Sequence, residues 1–415
     1  MKKNYLIGIL CLTYTSSFAQ FEQPKLVNEE FKNIHTTIGA DFALQYQAIQ
    51  NVGKLANGAD FMPLGDGLNL PTANFAINGD LAPGVRVTLE TYLSSRHHND
   101  TWVKGGYLLL DQLPFLSAEV NKKIMENLTL KIGVMEINYG DAHFRRTDNG
   151  AALKNAFVGN DIMDAFTTAP AFEAMFRKNG FIAMVAATSG SLDPLIVAYT
   201  PNKDTLTNAA DFTPYHFMKE LAFYGKFGYD KQINKDLRLR ITLSPYCQSF
   251  SHKGTLYGGD RTGARFYSVL VPAANGSTAT DITVGHTVGN WGPGSTKSLT
   301  SVMINPFVKY KGLEVFGLYE IASGSTTKSN FTYNQMAVEA LYHFGGNEQY
   351  YGGIKYNTVS NSNSEKVNRV EVSGGWFITK NILTKLEYVN QKYNTVAYTD
   401  GAGFKGMMVE AAISF

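Results

Sequence analysis

The sequence predicts an all-β fold: a transmembrane antiparallel up-and-down β-barrel of about sixteen strands, with one long connection folded inward as a constriction. Three observations predict it. The chain opens on an export signal, sixteen short segments alternate apolar and polar residues, and the last of these ends on the aromatic Phe415. No repeat period, Pro-rich linker or charge run divides the chain, so one barrel domain is expected over 20–415 behind a signal peptide over 1–19.

The N-terminus reads MKKNYLIGILCLTYTSSFAQ. Lys2 and Lys3 form a basic head, 5–14 is an apolar run, and Ser17-Phe18-Ala19 places small residues where a signal peptidase reads, so cleavage is expected before Gln20. The run is too short to cross ~30 Å of hydrocarbon. Leu10 before Cys11 is not the small residue of a lipoprotein signal. Cleavage leaves one cysteine, Cys247, and hence no internal disulfide. It also balances the charge, because the whole chain has 37 basic and 35 acidic residues and the leader carries two of the lysines. Nucleic acid, which favours a basic excess, is not an expected partner. After the leader no apolar run is long enough for a transmembrane helix. Tyr, Phe and Gly are abundant (23, 26 and 39), as in a soluble β-sandwich or a membrane barrel.

The strands follow in order. Segment 37–49 puts Ile38, Ala40, Phe42, Leu44, Tyr46 and Ala48 on one face and Gly39, Asp41, Gln45 and Gln47 on the other. After 73–81, segment 84–95 sets Val85, Val87, Leu89 and Leu93 against Arg86, Thr88, Glu90 and Tyr92. Segments 102–111, 128–138, 171–177, 181–188 and 215–229 alternate less cleanly. In 237–246, Leu237, Leu239, Ile241 and Leu243 oppose Arg238, Arg240, Thr242 and Ser244. Segments 300–310 and 313–322 precede 334–344, where Met336, Val338, Ala340, Tyr342 and Phe344 oppose Gln335, Glu339 and His343. After 350–358, segment 367–378 sets Val370, Val372, Trp376 and Ile378 against Arg369 and Glu371. Segment 382–391 leads to 404–415, with Lys405, Met407, Val409, Ala411, Ile413 and Phe415 on one face. This last strand resembles the terminal strand of Gram-negative outer-membrane barrels.

Connection lengths point the same way. Short turns are expected at 80–84, 178–180, 230–236, 311–312, 345–349 and 379–381, with a longer one at 113–127. Gly/Ser/Asn/Thr-rich stretches fall between them at 50–72, 139–168, 189–213, 247–299 and 392–403. Such segregation is expected when one barrel rim faces outward and the other the periplasm. Trp102, Tyr107, Phe181, Tyr215, Phe217, Tyr350, Tyr351, Trp376 and Phe377 cluster near strand ends, as interfacial girdles do, although strand propensity alone also enriches aromatics.

The stretch INYGDAHFRRTDNGAALKNAFVGNDIMDAF, 137–166, joins the fifth strand to the sixth. It carries Asp141, Arg145, Arg146, Asp148, Lys154, Asp161 and Asp164. Here the chain resembles sixteen-stranded porins, whose third outer loop joins these strands and folds into the lumen, and 128–140 is loosely similar to the phosphate-selective O/P type. The resemblance implies an outer-membrane pore for small polar or anionic solutes, in contact with membrane lipid and needing no cofactor. Porins of this size are often trimers, and monomers exist too. On this reading the seven charges line a constriction, facing Arg86, Arg238, Arg240, Arg369 and Lys385 on the inward phase of the wall, where charge meets a focused field. Arg145 and Arg146 suit an anion, or they pair with the loop's own aspartates and hold it folded.

Other chemistry is weakly supported. His97-His98 with Asp100 do not share a strand face, so no metal site is expected there. Asp141 and His143 lack a serine neighbour for a hydrolytic triad, so the chain is not expected to be an enzyme. A plugged 22-stranded transporter needs a longer chain. Two alternatives stay open: a transporter for hydrophobic solutes, with 20–36 as a short plug, and a scaffold for adhesion or secretion using 247–299.

Overall fold

Strands of alternating phase cannot bury both faces in one core, and here they close into a ring of sixteen antiparallel strands. In chain order these are β1 (His35–Val52), β2 (Thr72–Ala82), β3 (Val85–Ser94), β4 (Thr101–Leu110), β5 (Leu128–Glu136), β6 (Thr168–Lys178), β7 (Phe181–Thr188) and β8 (Ala222–Asn234). The second half is β9 (Leu237–Gln248), β10 (Ser298–Tyr310), β11 (Leu313–Ser325), β12 (Asn330–Phe344), β13 (Tyr350–Asn361), β14 (Lys366–Thr379), β15 (Ile382–Asn394) and β16 (Gly403–Ser414). The structure is a computed structural model. It describes residues 21–26, 31, 33–69, 71–94, 101–147, 151–191, 196–198, 215–217, 220–258, 265–273 and 287–415. The expected leader, His97, His98 and Asp100 lie outside them.

Each strand pairs with the next, and β1 closes the ring. Its first half pairs with β2 (His35↔Asp80 to Ala43↔Thr72) and its second half with β16 (Asp41↔Ser414 to Val52↔Gly403). Phe415 extends that seam, with its N–H and C=O each bonded to Ala40 at 3.0 Å. Closure leaves the ring with no unpaired strand edge, which is the condition for crossing hydrocarbon on strands. The phases follow the sequence pattern. Val87, Leu89 and Leu93 on β3, Leu239, Ile241 and Leu243 on β9, and Met336, Val338 and Tyr342 on β12 are exposed on the outer wall. Thr242, Ser244, Gln335, Glu339, Arg369 and Glu371 are buried on the inner one. An apolar surface running round a whole protein is untenable in water and is what a bilayer requires.

The structure differs from expectation in three places. Segment 215–229 is not one strand. Tyr215–Phe217 pairs with Ile196–Ala198 as a separate ribbon, and β8 starts where its register with β7 starts, at Ala222↔Thr188. The long 113–127 connection contains a helix, α1 (Ala118–Met125), at the short-turn rim. Ser117 caps it by accepting from the Val120 N–H, and Asn121 holds both the N–H and C=O of Leu113 at 2.8 Å. The aromatic girdle is also narrower than expected. Tyr342, Phe344, Tyr350 and Trp376 form an exposed stack with ring spacings of 6.5, 5.6 and 6.1 Å. Their chain neighbours Tyr351 and Phe377 point inward, because successive strand residues face opposite ways.

Candidate functional site

The connection between β5 and β6 leaves the rim, enters the lumen and crosses to the wall formed by β9–β16. A backbone crossing a lumen must have its polar groups paired, and the inward polar phase of that wall pairs them. Asn305 accepts from the Asp141 N–H (2.8 Å), Asn357 from Ile162 (2.6 Å) and Glu387 from Val158 (2.5 Å). Gln335 holds both the N–H and C=O of Met163, at 2.9 and 2.8 Å. The hydroxyls of Ser373 and Tyr351 both donate to the Ala156 carbonyl. Gly140 sits where the chain turns in. Its φ is +68°, and a Cβ there would lie 2.1 Å from Met303 Sδ, so only glycine allows this approach.

Charge braces the same contact. Asp141 is fully buried and accepts from Lys226 (2.9 Å), Arg240 (2.7 Å) and Thr242 (2.7 Å). Arg145 lies between Glu314, at 2.7 Å, and Glu339, over the Phe316 ring. Arg146 pairs with Asp164 at 2.8 Å, and Asp161 with Lys355 at 2.6 Å. Lys385 pairs with Glu410 and donates to the carbonyls of Ala152, Asn155 and Phe157. Arg369 donates to Gln391, to the Asn160 carbonyl and to the Gly289 carbonyl.

These contacts change the expected arrangement. The loop is not acidic against a basic wall: each side carries both signs, paired locally. Arg146 does pair with the loop's own aspartate, whereas Arg145 reaches wall glutamates. Arg86 and Arg238 lie near the short-turn rim, held by Asp80 and Asp230 on adjacent strands. Asp148 lies outside the described residues. Of the expected constriction residues, Lys154 is exposed and has no carboxylate partner among the described residues. His143 bonds Glu136 and Asn138, and Asp141 does not meet it. Lys226, Lys355, Glu314, Glu387 and Glu410 were not singled out from sequence, although each has the inward phase of its strand.

Two more segments enter the lumen. Phe21 packs edge-on against Phe307 (5.2 Å) with the Arg240 guanidinium 4.2 Å from its ring centre. Beside it Glu22 accepts from Arg240 at 2.7 Å and pairs with Lys226 at 3.3 Å. The β9–β10 connection, expected at the surface, also turns inward in its described parts. Gln47 holds the N–H and C=O of Tyr267 at 2.9 Å, Asn51 accepts from Leu270, and Phe266 is buried against Phe404. Further along, Trp291 donates to the Ile162 carbonyl, seating this loop on the constriction.

Burial pushes the carboxyls of Asp141 and Glu22 up, but Lys226 and Arg240 outweigh it. They hold Glu22 at about 2 and Asp141 well below the usual carboxylate range. Groups whose folded pKa is lowered stabilise fully above their unfolded values, near ~4, and lose that contribution as pH falls through the folded ones. Single-channel conductance is therefore expected to hold steady from neutral pH down to ~4 and to become larger or unsteady only below ~3. Loosening already at pH 5 to 6 would contradict this bracing.

The remaining space lies away from the braced wall. A cavity of about 420 Å³ follows β3–β6, lined by Glu90, Lys104, Lys131, Glu173 and Arg177. A vestibule of about 850 Å³ opens at the short-turn rim, and Lys154 lines both.

No protein-family model matches the chain, and no curated protein sequence does. Solved structures share the barrel. OprB of Pseudomonas putida aligns over 92% of this chain and 94% of its own at 10% identity and a TM-score of 0.53. Outer-membrane expressed OmpT of Vibrio cholerae aligns over 94% and 100% at 10% identity and 0.50. An anion-selective porin from Comamonas acidovorans aligns over 92% and 100% at 12% identity and 0.49. These likenesses are to the fold, and they do not single out the phosphate-selective type.

Proposed function

We propose that the protein is an outer-membrane channel for small polar or anionic solutes, narrowed by the β5–β6 loop. The observation that carries this is the loop itself: 137–167 is pinned by buried charge to β9–β16, leaving charged space along β3–β6. Outer-membrane placement is supported by the apolar outer wall and by the fold shared with OprB and OmpT. Polar inward positions favour polar solutes over the hydrophobic-transporter alternative. The inward course of the β9–β10 loop argues against its being mainly an adhesive surface.

The charges fall into two roles on this reading. Asp141, Arg145, Arg146, Asp161, Asp164, Arg240, Arg369 and Lys385 position the loop. Solutes meet Lys131, Lys154 and Arg177, which form no salt bridge among the described residues; Lys131 rests on the Tyr107 ring at 4.1 Å and Arg177 donates to the Gln23 carbonyl. These cations bias passage toward anions by focusing positive potential. In a planar bilayer under a KCl gradient, the wild type is expected to conduct ohmically with anion preference. Lys131→Glu/Lys154→Glu should move the reversal potential toward that of a cation-selective pore. A barrel that inserts without conducting would sink the channel reading.

A further inference from the structure

The vestibule at the short-turn rim is divided by strand. Its β8–β11 arc is basic: Lys235 in the β8–β9 turn, Arg238, Lys309, and Lys311 in the β10–β11 turn. Its β12–β15 arc carries an apolar patch, with Leu341, Tyr351, Phe377 and Leu383 in one continuous cluster with Phe157 of the constriction loop, edged by Glu348 and Lys380 in the turns. At the boundary stands His343, whose Nε2 makes no hydrogen bond among the described residues. Seven basic side chains line the whole space against three acidic ones. Two of those acids are already engaged, Glu314 by Arg145 and Glu348 by Lys309 at 2.9 Å, which leaves Asp236. Lys235, Lys311 and Lys380 are exposed and have no carboxylate partner among the described residues.

We infer that this vestibule is a binding site for an amphiphilic organic anion, a carboxylate or similar acid on an aromatic or short aliphatic body. Neither half explains the other. A wall shaped only to draw inorganic anions has no use for an apolar lining, yet Phe377 is half-buried and opens on this space, and the buried Leu341, Tyr351 and Leu383 present their remaining edges to it. A purely apolar trap has no use for unpaired lysines. A ligand with both characters covers the apolar patch and places its acid among the lysines. The volume of about 850 Å³ lies within the range of ~300–1,000 Å³ usual for small-molecule sites. Phe157 and Leu153 join the apolar side from the constriction loop, so an occupant there touches the element that narrows the pore.

The inference deepens the channel reading by naming a solute class, and rests on it only for how the ligand arrives. The test is calorimetric titration of the full barrel in lipid nanodiscs with 3-phenylpropanoate, its neutral amide and acetate. The acid is expected to bind about tenfold or more tighter than either comparison compound, since each lacks one half of the recognition. Lys235→Gln/Lys311→Gln, at exposed positions, should weaken the acid and leave the amide unchanged. Phe377→Ser should weaken acid and amide together. Acetate binding as tightly as the acid would reduce the site to plain anion attraction, the amide binding as tightly would reduce it to partitioning, and no binding would overturn it outright. Bilayer conductance is read separately, so a conducting barrel that ignores the acid sinks only this inference. A non-conducting barrel that binds it sinks only the channel.

Discussion

Replacing Asp141 by alanine is expected to free the constriction. Its carboxylate is the shared acceptor of Lys226, Arg240 and Thr242, all buried on β8 and β9. Without it Lys226 keeps only Glu22 and Asn138, and Arg240 only Glu22 and Asp230. Removing one partner of a buried ion pair typically costs about 3–5 kcal/mol, because the remaining charge is left uncompensated. The barrel wall itself closes through backbone pairing that does not involve this residue, so the cost falls on the loop. The variant should keep the heat-resistant migration of a folded barrel in unheated detergent gels. Its single channels should be larger and unsteady. Asp141→Asn should behave similarly, since it keeps the shape but loses the charge. Wild-type conductance in both variants would mean that the backbone bonds from Asn305, Gln335 and Asn357 suffice to hold the loop.

That dependence on one carboxylate was only half legible in the sequence. The strands were legible because lipid and lumen impose a period of two on Val85–Leu93 or Val370–Ile378, whichever residues fill it. The constriction was legible from its place between β5 and β6 and its mixed charge. Which charges meet was not, because strand register and the path of the loop decide it, and neither is periodic. Arg145 reaches Glu314 and Glu339 on β11 and β12, far away in sequence. Glu339 and Glu371 were readable as inward, and beside Arg240 and Arg369 they give the wall both signs. The β9–β10 loop misled through its Gly, Ser and Thr content. The signal against a surface role was the run RFYSVLV at 265–271, too apolar to lie in water, and its Phe266, Val269 and Leu270 are indeed buried.

That buried run sets the second large expectation. Residues 265–273 and 287–291 occupy the outer half of the lumen. They hang from Gln47 and Asn51 on β1 and from Arg369, Gln391 and Tyr393 on β14 and β15. The constriction beneath has its own bonds to the wall and loses few when 259–290 goes, chiefly the one from the Asn290 side-chain amide to the Asp161 carbonyl, while Trp291 stays to donate to the Ile162 carbonyl. Excising 259–290 and joining the ends with a short Gly-Ser linker should therefore leave the constriction in place. It should raise single-channel conductance several-fold by removing the outer of two resistances in series. Anion preference should persist, because Lys131, Lys154 and Arg177 lie on the inner side. Unchanged conductance would place the solute path beside the loop, along β3–β6, where the 420 Å³ cavity already runs. A loss of ion preference together with the rise would instead show that the cover, through Arg369 and Gln391, holds the constriction in position.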